Sequence, residues 1–78
     1  MAIEGMQFVP ARLEVSAGDT VTWTNRDLVP HTVTAAGAGL ESGNIAPGAS
    51  WKFTARRAGA IAYVCRYHPS MKATLVVK

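Results

Sequence analysis

The sequence predicts an all-β fold, a Greek-key β-sandwich of about seven strands, from three observations. No window of a dozen residues keeps apolar side chains at three-and-four spacing, so nothing reads as a helix. Short runs alternate apolar with polar residues, as half-buried strands do. Glycine, proline and Asn/Asp residues punctuate those runs at short intervals. With 78 residues, 49% of them hydrophobic and 17% charged, the composition is that of one globular domain spanning residues 1–78.

Residues 2–9 read as a first strand with a phase problem. Ile3 is odd in parity while Met6 and Phe8 are even, and a bulge near Gly5 would return all three to one face. On that reading Met6 is core filler. Pro10 ends the run, and Leu13 and Val15 then alternate with Arg12, Glu14 and Ser16. Ser16-Ala17-Gly18-Asp19 is a turn before Val21 and Trp23, which alternate with Thr22 and Thr24. Asn25-Arg26-Asp27 breaks that strand; Asn25 and Asp27 read first as turn residues, and as the lesser alternative one of them braces the loops that carry the candidate ligands. Pro30 restricts Val29 to an extended shape, and His31 opens a strand running to about Ala36.

Residues 37–49 carry Gly37, Gly39, Gly43, Pro47 and Gly48 and read as an irregular crossing from one sheet to the other. Trp51 and Phe53 alternate with Lys52 and Thr54, and Arg57-Ala58-Gly59 turns the chain. Residues 60–65 are apolar on both sides, as a central strand would be. Residues 72–78 close the fold with Leu75, Val76 and Val77 buried or half-buried. Trp23, Trp51, Phe53, Phe8 and Tyr63 are expected between the sheets, because aromatics dominate cores.

The formal charge is +3, from eight Lys/Arg against five Asp/Glu. Apart from Arg56-Arg57, read as a solvated turn, the basic residues are scattered. That argues against a nucleic-acid groove and permits an acidic protein partner or weak attraction to an anionic membrane surface. No apolar run approaches the ~20 residues that span a bilayer, so membrane association is not expected. Met1-Ala2-Ile3-Glu4 lacks the basic start and apolar core of a signal peptide.

The chemistry gathers in Cys65-Arg66-Tyr67-His68-Pro69-Ser70-Met71, a Cys-x2-His-x2-Met motif, with a second imidazole at His31. One cysteine forms no internal disulfide, so the thiol needs another account. Thiolate and thioether are soft donors and imidazole is borderline. Two His and one Cys with a weak axial Met form the type 1 copper set. Zinc sites do not use Met, and calcium and magnesium want oxygen. Cys65 ends a strand, and a tight loop stiffened by Pro69 would turn His68 and Met71 toward it. Such a set leaves no coordination position for a substrate, so one-electron transfer by Cu(II)/Cu(I) cycling is expected and catalysis is not.

Taken singly, each residue has a plainer reading: a structural histidine, a buried inert thiol, a core methionine. Other functions use parts of the pattern. A cysteine hydrolase would leave Met71 unexplained and needs a cleft. A copper store or chaperone would use the same ligands more loosely. An immunoglobulin-like adhesion module would use the fold without the metal.

These residues resemble the cupredoxins, and among them the amicyanin-like members. The stretch from Cys65 to Met71 and the following Lys72-Ala73-Thr74-Leu75-Val76-Val77 look like their copper loop and last strand. The short His-x2-Met spacing is similar to amicyanin, where plastocyanins and pseudoazurins carry a longer one. Pro30-His31 matches the upstream ligand motif, and Ser16-Ala17-Gly18-Asp19-Thr20-Val21 the early turn. The resemblance implies equatorial ligands His31, Cys65 and His68, an axial Met71, and one bound copper. It also implies a periplasmic, monomeric carrier that is not an enzyme. A redox donor and acceptor (dehydrogenase, cytochrome or oxidase) would dock at the His68/Pro69 face, with Pro30 beside it. A storage or chaperone domain, or a module of a larger copper enzyme, is the alternative within the resemblance. Three departures stand out. The chain is shorter than amicyanins. Thr32 stands where an Asn commonly follows the first ligand. Arg66 and Tyr67 make the docking face more polar and more positive.

Overall fold

The computed structural model describes all 78 residues and contains nine strands and one 3-10 turn. In chain order the strands are β1 (Ala2–Glu4), β2 (Gln7–Val9), β3 (Arg12–Val15), β4 (Thr20–Asn25), β5 (Thr34–Ala35), β6 (Leu40–Glu41), β7 (Ser50–Thr54), β8 (Gly59–Cys65) and β9 (His68–Val77); the 3-10 turn is Ala36–Ala38. One sheet has the order β2-β1-β4-β7 and the other β3-β9-β8-β5-β6. The pairs β1/β4 and β3/β9 are parallel and the rest antiparallel. The chain passes from sheet to sheet, and the sandwich expected from the sequence is the observed architecture.

Alternation decides what lies between the sheets. In β4, Val21, Trp23 and Asn25 point inward and are buried. The outward Thr20 and Thr24 pair with Thr54 and Ser50 of β7 through hydroxyl contacts of 3.0 and 2.9 Å. Trp23 joins Phe8, Tyr63, Ile3, Leu40 and Leu75 in the core, where Trp23 Nε1 donates to Tyr63 Oη at 3.2 Å. Burial pushes the Tyr63 phenol above its ordinary value, and the bond from Trp23 opposes that only in part. Trp51 and Phe53 are half-buried and pack against the core rather than filling it.

Four local expectations are corrected. Residues 2–9 form a hairpin, not one bulged strand. Gly5 and Met6 both lie at φ +60°, the turn geometry that pairs Glu4 with Gln7, Ile3 with Phe8 and Ala2 with Val9. Ile3 and Phe8 therefore share the inward face, while Met6 sits at the turn and is 41% exposed. The hairpin and the short β6 account for the strands beyond the expected number. The strand expected from His31 shrinks to Thr34–Ala35 because the preceding amides bond elsewhere: Thr32 N–H to Cys65 Sγ and Val33 N–H to Ser42 Oγ. β8 is central by its ladders to β9 and β5, yet Ala60 and Ala62 are exposed. Its apolar run reflects small residues on a wet face, not burial on both sides.

Candidate metal centre

Three elements deliver the donor atoms. His31 lies between β4 and β5 and exchanges backbone bonds with Ile45, donating at 3.2 Å and accepting at 2.8 Å. Cys65 ends β8 on its inward face, after the buried Tyr63. His68 opens β9 directly opposite Cys65, across the two-residue turn Arg66-Tyr67, with a register irregularity between Val64 and Cys65. The expected ligand loop is thus a tight hairpin, and His68, Pro69 and Met71 stand on a strand. A strand fixes side-chain directions more firmly than a loop does.

His31 Nδ1 lies 3.5 Å and His68 Nδ1 3.7 Å from Cys65 Sγ, and the three donor atoms all fall within 4.8 Å of one another. His31 and Cys65 have no solvent exposure; His68 is half-buried. Imidazole and thiolate bonds of about 2.0–2.3 Å at trigonal angles would put the donors about 3.5–3.8 Å apart. The observed sulfur–nitrogen spacings match that size, and the His2Cys donor set fits a type 1 copper ion. Met71 is buried at 5% exposure on β9.

Around the donors, Asp27 does more than turn the chain. Its Oδ2 sits 2.7 Å from His31 Nε2. Gly5 N–H donates to Asp27 Oδ1 at 2.8 Å and Met6 N–H to Oδ2 at 3.0 Å. Burial raises the Asp27 pKa, but the bonds from His31, Met6 and Gly5 outweigh it and hold the carboxyl below its ordinary value. An ionised Asp27 keeps the His31 proton on Nε2, which leaves the Nδ1 lone pair aimed at the centre. Asn25, also read as a turn residue, is fully buried. Its Nδ2 donates to the carbonyls of Val29 and Ile45 at 2.9 Å, and its Oδ1 accepts from Asp27 N–H at 2.9 Å. The signal for both was their place just before Pro30-His31, where a polar side chain can reach the His31 ring, as Asp27 does, or the Ile45 carbonyl beside it, as Asn25 does.

Thr32 supplies a sulfur contact through its backbone, with N–H 3.4 Å from Cys65 Sγ, so this bond does not need an Asn side chain. Its hydroxyl accepts from Arg66 N–H at 2.8 Å. Arg66 itself is ion-paired with Glu41, so its charge beside the site is offset and it adds less positive charge to that face than the sequence suggested.

Residues 1–77 match the family model of the cupredoxin-like domain. The chain is 36% identical over 81 residues to amicyanin of Paracoccus denitrificans, covering 97% of this chain and 62% of that protein's length. It is also 36% identical over 83 residues to amicyanin-alpha of Methylorubrum extorquens, covering 97% and 68%. A solved mutant of amicyanin in its Cu(I) form superposes with a TM-score of 0.91 at 34% identity, covering 99% of this chain and 78% of that one. An oxidised amicyanin mutant gives 0.92 at 32% identity with the same coverage. The family model spans all but the last residue, and the relatives and solved structures share the sandwich: this chain belongs to the cupredoxin-like domain family.

Proposed function

We propose that this chain is a one-electron carrier, holding a single copper in a type 1 site and passing electrons between redox partners. The observation that carries the reading is the convergence of His31 Nδ1, His68 Nδ1 and Cys65 Sγ at spacings of 3.5 and 3.7 Å from the sulfur. Bound copper supplies the Cu(II)/Cu(I) couple. The chain's own residues do the rest. Cys65 gives a thiolate shielded from water, His31 is orientated by Asp27, and His68 stands nearest to solvent. Met71, buried three residues beyond His68, would supply a weak thioether donor to that copper in this reading.

Partners would meet the face around His68. Pro69 and Pro30 are exposed there, and Leu28 and Val29 are 94% and 40% exposed. Exposed apolar side chains of this kind suit transient docking between proteins. A redox donor and acceptor would use this face in turn, with the chain acting as a monomer and as one domain. No helix is long and apolar enough to cross a membrane. A periplasmic setting is favoured by the likeness to amicyanins, and two imidazoles, a thiolate and a thioether would together fill the coordination of one copper, which supports a carrier rather than an enzyme.

The test is to add Cu(II) to the purified chain. An intense visible thiolate-to-copper charge-transfer band and a reversible one-electron voltammetric wave are expected. Met71→Leu should keep the band and shift the potential, as changes of axial ligand do. Colourless binding, or a copper ion lost on mild dialysis, would refute the carrier and favour storage.

A further inference from the structure

The turn joining Cys65 to His68 is gripped from outside by the end of β6 and the start of the crossover that follows it. Arg66 forms an ion pair with Glu41, and Tyr67 Oη donates to Asn44 Oδ1 at 3.0 Å. A second line reaches the same carboxylate by way of β5. Arg66 N–H donates to Thr32 Oγ1 at 2.8 Å, Thr32 Oγ1 lies 2.9 Å from Thr34 Oγ1, and the Thr34 hydroxyl donates to Glu41 Oε2 at 3.3 Å. Each hydroxyl has one proton. Because that of Thr34 goes to Glu41, that of Thr32 goes to Thr34. The line is therefore polarised from the turn's backbone toward the carboxylate, and it closes a ring that begins and ends at Arg66.

The same segment reaches the other ligand. Glu41 Oε2 takes Gly43 N–H at 2.9 Å, which shapes the chain leading to Ile45. Ile45 exchanges both backbone bonds with His31, and its carbonyl also accepts from Asn25. One run of five residues thus holds the Cys65–His68 turn at one end and His31 at the other.

We propose that residues 41–45 form a clasp in which Glu41 and Asn44 are positioning residues. They set where the Cys65–His68 turn sits relative to His31, acting through Arg66, Tyr67 and Thr32. The Arg66 and Glu41 side chains are 59% and 40% exposed. A surface ion pair of that kind contributes little to folding, so its effect belongs to geometry. Hydrogen bonds in a ring support one another, and the loss of its hub loosens every member. The inference rests on the metal-centre reading, but the clasp can be tested without copper.

The experiment compares Glu41→Ala, Glu41→Gln and Tyr67→Phe with the parent chain. In the copper-free protein, amide hydrogen exchange at Arg66 should be about tenfold faster in Glu41→Ala, the scale of one lost hydrogen bond, with the urea midpoint unchanged. Gln keeps an acceptor and should recover much of the protection. In the Cu(II)-loaded protein, Glu41→Ala and Tyr67→Phe should change the relative strengths of the charge-transfer bands and the copper hyperfine splitting, and Glu41→Gln should do so less. Ala and Gln remove the same charge. Equal spectral and potential shifts in the two would make charge the cause and overturn positioning. Unchanged exchange at Arg66 in all three variants would overturn the clasp itself. A parent chain with no charge-transfer band would instead overturn the metal-centre reading, and with it the clasp's part in that centre.

Discussion

Asp27 Oδ2 stands 2.7 Å from His31 Nε2, and the hairpin turn at Gly5 and Met6 holds the carboxylate from its other side. The first hairpin of the chain is thereby tied to the buried His31 ring. Outer partners of this type fix the ring's orientation and its tautomer, and losing one costs about 10–100-fold in metal affinity. Asp27→Asn should therefore weaken copper binding by about tenfold or more, read by competition with a chelator. An affinity equal to that of the parent chain would show that Ile45's backbone bonds to His31 suffice.

Much of this site was legible because its donors are rare residue types at fixed spacing. His31, Cys65 and His68 converge as the ligand chemistry requires, and the sandwich that brings them together follows from alternation in β3, β4 and β7. What the sequence concealed was direction. Nothing in Arg66-Tyr67 says that two residues suffice to reverse the chain, so His68 read as a loop residue rather than the start of β9. The Met6 misreading has the same origin. Parity placed Met6 with Phe8, but a non-glycine residue at φ +60° has no signature in composition. Asp27 and Asn25 were hidden because turn formers and ligand braces share one vocabulary of polar residues. Their partners, Gly5, Met6 and Ile45, are distant in the chain.

Met6 at φ +60° carries a backbone conformation that L-residues disfavour by roughly 1–2 kcal/mol. Its side chain is 41% exposed and gives back little by burial. Met6→Gly removes the clash at an added chain-entropy cost of about 0.5–1 kcal/mol, so a net gain of about 0.5–1 kcal/mol is expected. Urea unfolding of the copper-free chain measures it. A lower midpoint in the glycine variant would mean that Met6 packs more usefully than its exposure suggests.

Glu14 links the sheet edge to the end of the chain, 2.7 Å from Arg12 and 2.9 Å from Lys78. Hydrogen bonds from Lys78 and then Arg12, and their charges, hold its carboxyl below its ordinary value of 4.5. A depressed value in the folded state stabilises above 4.5 and is lost as pH falls through the lower folded value. Glu14→Gln should therefore flatten the acid limb of the stability profile slightly and leave copper binding unchanged. Because the group is at the surface, salt should shrink the difference between the two chains. Identical acid limbs at low salt would remove Glu14 from the account.

Trp23 and Tyr63 join the two sheets by one buried hydrogen bond of 3.2 Å, with their rings edge to face at 5.7 Å. Tyr63 also stands edge to face with Phe8 at 4.8 Å. Tyr63→Phe keeps the ring contacts but leaves the Trp23 N–H buried without its partner. The cost should be about 1–3 kcal/mol, the penalty for one unsatisfied buried donor. Trp23→Phe should cost more, because it orphans the Tyr63 hydroxyl and also removes ring volume from a packed core. Since Cys65 follows Tyr63 by two residues on the same inward face, the comparison also tests how rigidly β8 presents its thiolate. If Cys65 is held by its own contacts with His31, His68 and Thr32, copper-loaded Tyr63→Phe should keep the parent's charge-transfer band while unfolding at lower urea. A band altered as much as the stability would place the origin of the site's geometry in the core bond between the sheets.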